Sequence, residues 1–308
     1  MIGIKNIGCY IASDRVSNLE KAAKHAVTHD FITEKVGITS VARKKPAETA
    51  SDLCVLAYDD LAARVNEFAL DDIEFICVCT QNGDYQLPQV SALLQSKLGF
   101  STSCASFDIS LGCSGYVYSL HIAKSFMESN HLKKGLLFTS DPYSNIIDSN
   151  DKHTDLLFGD GATVTLLTEN PIFDMGYGVF ETDGNRFDHL IKRDNESLVM
   201  NGRGIFEFAM QEIPTVLDQC LEKNSLRKEE VDLFLLHQAS RFIIENLCRR
   251  MKLAPEKTPY VIRDYGNTIS SSIPIMLRDY LEDTTKKKIL TCGFGVGLSI
   301  ASSILRRR

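Results

Sequence analysis

Short apolar runs alternate with longer amphipathic stretches along most of the chain. Residues 73–80 are rich in β-branched and aromatic side chains, a pattern typical of a strand that is buried on both faces, and residues 135–140 and 163–167 are also expected to be strands. Residues 89–98 and 114–127 instead carry apolar side chains at helical spacing. This alternation of strands and helices predicts an α/β fold in which helices pack on a largely buried sheet.

The second half of the chain repeats the order of the first. Residues 71–76 are echoed by 229–234, and the predicted helix 89–98 is echoed by 242–251. These echoes predict a duplicated α/β unit with an N-terminal half of residues 1–169 and a C-terminal half of residues 170–308. Ligands of such folds bind where strand ends converge, so the strand ends of the two halves are where we expect the chemistry.

Three further local patterns lead to structural predictions. Helices are expected over residues 18–35 and 52–67. Residues 261–264 echo the predicted strand 105–108, which would place Asn267 at a junction between a strand and a helix.

Composition limits the class of protein. The 308 residues include 44% hydrophobic and 24% charged residues, as in ordinary globular proteins, and the net charge of -6 argues against general nucleic-acid binding. The nine cysteines lack CxxC spacing, so no disulfide framework or metal site is indicated. The N-terminus has no signal-peptide pattern and no apolar run reaches membrane length, so we expect a cytoplasmic protein without a membrane partner.

Cys113 is the first candidate for chemistry. It follows the predicted strand and the turn around Gly112, and it is expected on the first turn of the helix 114–127. Unpaired backbone N–H groups at a helix N-terminus favour the thiolate, which is the nucleophilic form of cysteine. The alternative is a buried and inert cysteine, the usual role of this residue in a reducing compartment.

His237 and Asn267 occupy comparable positions in the second half. His237 directly follows the apolar run 233–236, and Asn267 follows Gly266. Each has an ordinary structural alternative, a hydrogen-bonded core histidine and a turn or N-cap asparagine. Because all three residues fall at equivalent strand ends of a repeated unit, we expect them to converge on one pocket.

The motifs around these residues carry a specific resemblance. They are Asp108-Ile109-Ser110-Leu111-Gly112-Cys113-Ser114-Gly115, Phe158-Gly159-Asp160-Gly161-Ala162, His237-Gln238-Ala239, Tyr265-Gly266-Asn267-Thr268 with Ser271-Ser272-Ile273-Pro274, and Gly293-Phe294-Gly295-Val296-Gly297. In order and spacing, nearly the whole chain resembles the β-ketoacyl-acyl carrier protein synthase III family, which are condensing enzymes of the thiolase superfamily. The resemblance implies a duplicated five-layered α-β-α-β-α thiolase-like fold, a homodimer and a catalytic set of Cys113, His237 and Asn267.

The resemblance also implies a reaction. Cys113 would attack an acyl-CoA to form an acyl-enzyme, and malonyl-acyl carrier protein would then lose carbon dioxide and attack the acyl group. His237 and Asn267 would donate hydrogen bonds to the enolate oxygen, while the backbone N–H groups of Cys113 and Val296 would form a second oxyanion hole. Acyl-CoA and malonyl-acyl carrier protein are thus implied as substrates, without a tightly bound cofactor or a metal. Relatives have glycine where Val296 stands.

The binding positions depart further from the family. Relatives have a tryptophan and an arginine beside the adenine of CoA where this chain has Phe31 and Lys35, and Lys152 replaces an arginine near the nucleotide. Leu87 stands in place of a phenylalanine at the end of the acyl pocket, and Phe206 is a further implied acyl- or CoA-binding residue. Arg249 and Arg250 match the basic patch that docks the acidic carrier protein. Around that patch, Glu207 replaces a basic residue, and Arg241 lies one position before the family's arginine, which is Phe242 here.

Two other functions remain open at this level. An acyltransferase of the same fold would pass the acyl group from Cys113 to an amine, an alcohol or another non-malonyl acceptor. An inactive subunit that shapes a heterodimer is the third interpretation. The need for Asn267 separates condensation from simple transfer, and turnover by the purified chain would exclude an inactive subunit.

Overall fold

The computed structural model of the chain describes residues 1–65 and 70–308. Within those ranges the strands are β1 (Gly3–Ile11), β2 (Asp14–Ser17), β3 (Ser40–Arg43), β4 (Phe75–Cys79), β5 (Ala105–Ile109), β6 (Lys134–Ser140), β7 (Gly161–Thr168), β8 (Phe173–Thr182), β9 (Leu190–Ile191), β10 (Val199–Met200), β11 (Leu233–Leu236), β12 (Lys288–Gly295) and β13 (Ser299–Arg307). The α-helices are α1 (Ala50–Ala62), α2 (Val90–Lys97), α3 (Gly115–Ser129), α4 (Lys152–Asp155), α5 (Gly202–Lys223), α6 (Arg241–Met251) and α7 (Ser272–Arg278).

Nine strands form one mixed sheet in the order β11-β12-β13-β8-β1-β7-β6-β4-β5. In the first half of the chain, β1 pairs antiparallel with β7, β7 antiparallel with β6, and β6 parallel with β4. The second half repeats this scheme, because β8 pairs antiparallel with β13, β13 antiparallel with β12, and β12 parallel with β11. The two sets of strands join where Ile4 of β1 pairs with Phe173 of β8.

The helices lie in three layers around these two sets of strands. α1 contacts β1, β6 and β7, and α2 contacts β4 and β5, so both cover the outer face of the first half. α5 covers β8, β12 and β13 of the second half, and α6 packs on α5. α3 and α7 each contact strands of both halves and therefore lie between them. The resulting order of layers is the α-β-α-β-α arrangement expected of a thiolase-like fold.

Hydrophobic burial explains why α3 lies in the middle layer. Tyr116, Val117 and Leu120 on this helix are almost fully buried, in a core shared with Ile273 of α7. Ile122, which the helical spacing groups with that apolar face, is 39% exposed. The helix therefore has a second, partly apolar side that faces away from this core.

One predicted helix is largely wrong, and another is confirmed over most of its length but ends earlier than expected, since α1 covers residues 52–62 of the stretch 52–67. Residues 18–26 form turns, and helical structure within the predicted stretch 18–35 begins only at residue 29 and continues as a π-helix at Phe31–Val36. Asn18 explains part of this difference, because its buried side-chain amide donates to the carbonyl oxygens of Ile38 and Leu156, and Ala26 has a left-handed φ of 51°. Residues 63–65 of the helix predicted over 52–67 form a turn, and its last two residues lie outside the described ranges.

The segment before Asn267 is also not a strand of the sheet. Ile262–Asp264 is a short 3-10 helix. This segment bonds to the β3 region instead: the N–H of Thr39, just before β3, donates to the carbonyl of Arg263 at 2.7 Å, and the N–H of Ala42 in β3 donates to that of Tyr265 at 2.8 Å. Asn267 therefore follows a turn, with Gly266 in the left-handed region at a φ of 86°.

The division of the chain at residues 169 and 170 stays a prediction. β7 ends at Thr168 and β8 begins at Phe173, so the proposed boundary falls between the two strands that flank β1 in the sheet.

Candidate active site

Cys113 lies in the turn that joins β5 to α3. It precedes Ser114, the N-cap of α3, and is therefore one residue outside the first helical turn where we expected it. Its side chain is 4% exposed and lines a cavity of about 700 Å³. The opposite wall comes very close, since a Cβ atom added to Gly295 would lie 2.9 Å from the Cys113 sulfur. Only a glycine at 295 leaves room for this thiol.

The surroundings of the Cys113 sulfur favour the thiol in the free enzyme. Burial and the carboxylate of Asp141 raise the pKa of Cys113, while the backbone N–H groups of Cys113 and Val296 lower it by facing the sulfur. The net direction is upward, opposite to the thiolate expected from the helix terminus alone. A dry, low-dielectric position outweighs the partial charge of the helix end.

Two backbone donors converge beside the sulfur. The N–H groups of Cys113 and Val296 both act on Sγ. They are the pair expected in the oxyanion hole that would bind the carbonyl oxygen of an acyl group attached to Cys113. Gly112 makes room for Val296, because a Cβ atom on Gly112 would lie 2.8 Å from Cγ1 of Val296.

His237 follows β11 directly and is 1% exposed. Its Nδ1 lies 2.7 Å from the hydroxyl oxygen of Ser272, the first residue of α7, and its ring meets that of Phe294 edge-on at 5.4 Å. Burial lowers the pKa of His237 to about 3, so the ring is neutral near pH 7. The Ser272 hydroxyl can donate to Nδ1, and in that tautomer the ring proton lies on Nε2.

The side-chain amide of Asn267 lies beside Nε2 of His237. Its Oδ1 accepts the backbone N–H of Ile269 at 2.8 Å, which turns the NH₂ group toward His237. The side-chain nitrogen Nδ2 lies 3.4 Å from His237 Nε2. Two neutral N–H donors therefore lie side by side, an arrangement suited to one shared acceptor oxygen.

Cys113, His237 and Asn267 all line the one cavity. Its interior is apolar, with Phe158 and Phe294 among the lining side chains, and its cationic lining residues are Lys35, Lys152 and Arg203. The structure thus brings together the three residues that the sequence singled out. Among the described residues, no group of histidine, cysteine and carboxylate side chains could hold a metal ion.

Comparison with known proteins gives a consistent result. Models of 3-oxoacyl-[acyl-carrier-protein (ACP)] synthase III match residues 107–184, and models of its C-terminal part match residues 221–307. A crystal structure of a 3-oxoacyl-(acyl-carrier-protein) synthase III matches with a TM-score of 0.93 and 32% identity over 99% of each chain. The β-ketoacyl-[acyl-carrier-protein] synthase III of Lactobacillus helveticus is 33% identical over 94% of each chain, and that of Streptococcus agalactiae is 32% identical over 98% of each. The chain belongs to the 3-oxoacyl-[acyl-carrier-protein] synthase III family.

Membership of the synthase III family carries an activity class. The chain is a condensing enzyme that transfers an acyl group in fatty-acid biosynthesis, as the sequence motifs predicted. Transfer of the acyl group to a non-malonyl acceptor, the alternative considered above, is not favoured by these relationships.

Four of the five expected acyl- and CoA-binding residues of this synthase III line the cavity. These four are Phe31, Lys35, Lys152 and Phe206. Leu87 does not line it, because this residue is 85% exposed on the single chain, where the nearby Tyr85 is 65% exposed. A role for Leu87 at the end of the acyl pocket stays a prediction that would require another chain to cover this surface.

The expected carrier-docking arginines lie on α6 but differ in their contacts. Arg241 is engaged by Glu34 at 3.1 Å and by Glu245 at 2.7 Å, so its charge is largely neutralised by neighbours. Arg249 and Arg250 are exposed in the last turn of the helix. Of the three, the last two are the more available for an acidic partner.

Several contacts of the site, and the residue Asp141, have no counterpart in the sequence predictions. Phe242 stacks on Phe206 with ring centroids 5.2 Å apart, and the Lys35 ammonium lies 4.5 Å from the Phe242 ring centroid. Ser272 belongs to the motif Ser271-Ser272-Ile273-Pro274, but its contact with His237 depends on how α7 lies against the end of β11. No spacing along the chain predicts that contact. The buried Asp141 follows a strand end, as Cys113 and His237 do, and this position is the signal that could have drawn attention to it.

Proposed function

We propose that this chain catalyses a decarboxylative Claisen condensation between an acyl group taken from acyl-CoA and a malonyl group carried on acyl carrier protein. The reaction would proceed through an acyl thioester on Cys113. The observation that carries the proposal is the pair of neutral donors, His237 Nε2 and Asn267 Nδ2, 3.4 Å apart in the cavity that Cys113 lines. A simple hydrolase or transferase has no need of a second, uncharged donor pair beside its nucleophile.

In the first half-reaction the sulfur of Cys113 attacks the thioester carbonyl of acyl-CoA. A carbon–sulfur bond to Cys113 forms, the bond to CoA breaks, and the thiol proton finally resides on the sulfur of CoA. The carbonyl oxygen becomes an oxyanion in between, and the N–H groups of Cys113 and Val296 are the donors nearest to it.

In the second half-reaction the malonyl thioester loses carbon dioxide, and the electron pair of the broken bond forms an enolate. The enolate oxygen would accept from His237 Nε2–H and Asn267 Nδ2–H, each typically worth about 2.7–4 kcal/mol in a water-excluded site. The enolate carbon then attacks the acyl carbonyl, the Cys113 sulfur leaves, and it recovers a proton. Since the pKa of His237 is lowered to about 3, the ring acts here as a neutral donor rather than as a cation.

The cavity mouth would bind acyl-CoA, and α6 would bind the carrier protein. Phe31, Lys35, Lys152 and Phe206 provide apolar and cationic contacts for the nucleotide and pantetheine parts of CoA. The exposed cations Arg249 and Arg250 would attract the acidic carrier protein. No tightly bound cofactor is needed for the steps described.

We further propose a homodimer that acts in the cytoplasm. Strand β5 is the last strand of the sheet, and no strand within the described ranges pairs with its outer edge. A second copy would cover several exposed apolar side chains, which include Leu87, Ile122 and Phe180. In the part of the chain that the structure describes, no helix is both long and apolar enough to cross a bilayer.

The proposed function is tested by mass spectrometry of the intact protein. The enzyme is mixed with a panel of acyl-CoAs and then chased with malonyl-acyl carrier protein. We expect an acyl mass gain that is absent in Cys113→Ala, disappears in the chase, and yields ketoacyl-carrier protein. Asn267→Ala should still be acylated but should release the acyl group at least about tenfold more slowly in the chase.

The controls separate the other interpretations. Acylation of Cys113 that persists through the chase in the unmodified enzyme would contradict condensation and direct the search to another acceptor. Absence of any acylation by the purified chain would favour the inactive-subunit interpretation.

A further inference from the structure

Asp141 is a buried carboxylate that the chemistry described above does not use. It follows β6, is 1% exposed, and lies close enough to Cys113 to raise the pKa of that thiol. The ionisable groups that face it are Cys54 of α1, Cys79 of β4, Cys113 and Tyr143. Burial raises the pKa of each of these thiols and of the phenol, so all four are neutral near pH 7. Asp141 supplies the negative charge of this cluster.

The two oxygens of Asp141 bind different parts of the chain. Oδ1 accepts the backbone N–H of Gln81 at 2.7 Å, in the loop after β4. Oδ2 accepts the hydroxyl of Ser270, which belongs to the loop that carries Asn267. The carboxylate therefore ties a loop of the first half to the loop of the second half that bears a proposed catalytic residue.

The loop after Asn267 needs this attachment, because Ile269 has a left-handed φ of 53°. A β-branched residue in that region is strained and persists only where the surroundings hold it. Ile269 in that conformation donates its N–H to Asn267 Oδ1, the contact that orients the Asn267 amide.

Three consecutive serines anchor the residues that follow Ile269. Ser270 donates to Asp141, Ser271 lies 2.7 Å from Thr139 Oγ1 and Ser272 lies 2.7 Å from His237 Nδ1. The bond from Ser270 to Asp141 is the one next to the strained residue and the one that involves a charge. Bonds to charged acceptors are about twice as strong as neutral ones, so this anchor contributes most to the loop geometry.

The same charge lies near Cys113, because Gln81, whose N–H Asp141 accepts, packs against the residue before Cys113: a Cβ atom on Gly112 would lie 2.6 Å from Gln81 Oε1. A carboxylate in a dry site disfavours a second negative charge nearby, which keeps the thiol protonated. Burial raises the pKa of Asp141 to about 6, while the bonds from Ser270 and Gln81 hold it down, so the group is ionised near pH 7.

We propose that Asp141 is a positioning residue of this enzyme, which holds the Asn267 amide toward the enolate oxygen through Ser270 and keeps Cys113 in its thiol form in the absence of substrate. The part of this inference that concerns Asn267 rests on the proposed function. The part that concerns the protonation of Cys113 does not. The two parts can therefore be measured separately.

The first measurement is the rate of iodoacetamide alkylation of Cys113 in the substrate-free enzyme as a function of pH, assigned by peptide mapping. In Asp141→Asn, loss of the charge should shift the profile of rate against pH toward lower pH by about one unit. Alkylation at about pH 8 should therefore be about tenfold faster. Ser270→Ala keeps the carboxylate but removes a bond that holds its pKa down, so its profile should match that of the unmodified enzyme at about pH 9 and above, where Asp141 is ionised in both proteins. Asp84→Asn is the matched control, because Asp84 also holds one backbone N–H and one hydroxyl, both from Ser51.

The second measurement is carbon dioxide release from malonyl-acyl carrier protein by the acylated enzyme. Asp141→Asn and Ser270→Ala should both lower this rate by at least about tenfold, while Asp84→Asn should leave it unchanged. Ser270→Ala thus separates the two effects, since it should slow decarboxylation and leave alkylation unchanged at about pH 9 and above.

An unchanged alkylation profile in folded Asp141→Asn would overturn the effect on Cys113. Unchanged decarboxylation in both Asp141→Asn and Ser270→Ala would overturn the positioning of Asn267. If the unmodified enzyme releases no carbon dioxide, the proposed function and the Asn267 part fail together, and the alkylation profile still decides the Cys113 part. If the amide variant does not fold, Asp141→Ser, which also lacks the charge, is used for the same two measurements.

Discussion

Cys113 is subject to two opposite electrostatic effects. Burial and Asp141 raise its pKa, and two backbone N–H groups lower it. The donors are aimed at the position where an oxyanion forms, so they act most strongly once the substrate carbonyl has arrived. At the level of single residues, the site is therefore arranged for the charge of the intermediate rather than for a thiolate at rest.

Gly112→Ala should slow acylation of Cys113. The new Cβ atom would lie 2.8 Å from Val296 Cγ1 and 2.6 Å from Gln81 Oε1, so the backbone donor at Val296 would be displaced. We expect the acylation rate in rapid-quench measurements to fall by about tenfold or more.

Adding Val296→Gly to Gly112→Ala should restore much of that rate, because it removes the colliding Cγ1 and leaves only Gln81 Oε1, the end of a flexible side chain that can shift. A double variant as slow as the single one would show that the clash with Val296 is not the cause.

Protonation of His237 should oppose folding at acid pH. The pKa of His237 is lowered from 6.5 to about 3 by burial, so the unfolded chain binds the proton more tightly than the folded one. Stability from this residue is present above about pH 6.5 and is lost as the pH falls. Relative to His237→Gln, the wild-type free energy of unfolding should drop by about 1.4 kcal/mol per pH unit between about pH 6 and pH 4.

Urea denaturation of both proteins at each pH measures this difference. Asp141 has a raised pKa and contributes with the opposite sign, but it is present in both proteins and cancels. A difference that does not change with pH would contradict the neutral, buried state of His237.

At the level of secondary structure, the ends of strands and helices carry the chemistry, and their interiors carry the packing. Cys113 lies between β5 and α3, His237 follows β11, and Ser272 opens α7. The middle-layer helices α3 and α7 contact both halves of the sheet, so their ends are held from two sides. α1 lies on the outside and contributes no residue to the cavity.

Thr49→Ala should lower stability without affecting catalysis. The Thr49 hydroxyl accepts the N–H of Asp52, and the Asp52 carboxylate accepts the N–H of Thr49 at 3.0 Å, which forms a capping box at the start of α1. Loss of this cap should cost about 1 kcal/mol in denaturant titrations, with an unchanged rate of condensation.

Thr102→Ala is the matched control, since Thr102 is exposed in a turn. An equal loss of stability in both variants would argue against a specific role of the cap.

At the level of the whole molecule, the sheet ends at β11 on one side and at β5 on the other. No strand of the described residues pairs with the outer edge of β5, and a groove lined by Ile122 and Phe180 lies on the surface of α3 and β8. The loop with Leu87 is exposed as well. A second copy that covers these features would also enclose the active-site surface near Leu87.

Ile122→Glu should therefore shift the protein from dimer to monomer in light scattering coupled to size exclusion. A buried, unpaired carboxylate at an interface is costly, and a clear change is expected at micromolar concentrations. Val199→Glu is the control, because Val199 is also exposed, at 48%, but lies on β10. Dissociation by both variants, or by neither, would contradict the proposed interface.

Local patterns in the sequence were enough to predict much of the secondary structure and the fold class of this protein. Apolar periodicity predicted β4, β6, β7, α2 and α3, because strands and helices bury side chains at fixed periods. The duplicated order and the motifs around Cys113, His237 and Asn267 predicted the α/β class, the layers and the family.

Features that depend on contacts between distant segments were accessible only in the folded structure. Residues 18–26 form turns because buried amide bonds override helical spacing, and the segment of residues 262–265 bonds to the β3 region instead of extending the sheet. The protonation of Cys113 depends on burial and on Asp141, 28 positions along the chain, and the orientation of Asn267 depends on Ile269, Ser270 and Asp141. Periodicity reports which face of an element is apolar, whereas pKa values and hydrogen-bond geometry depend on which polar groups meet in a dry interior.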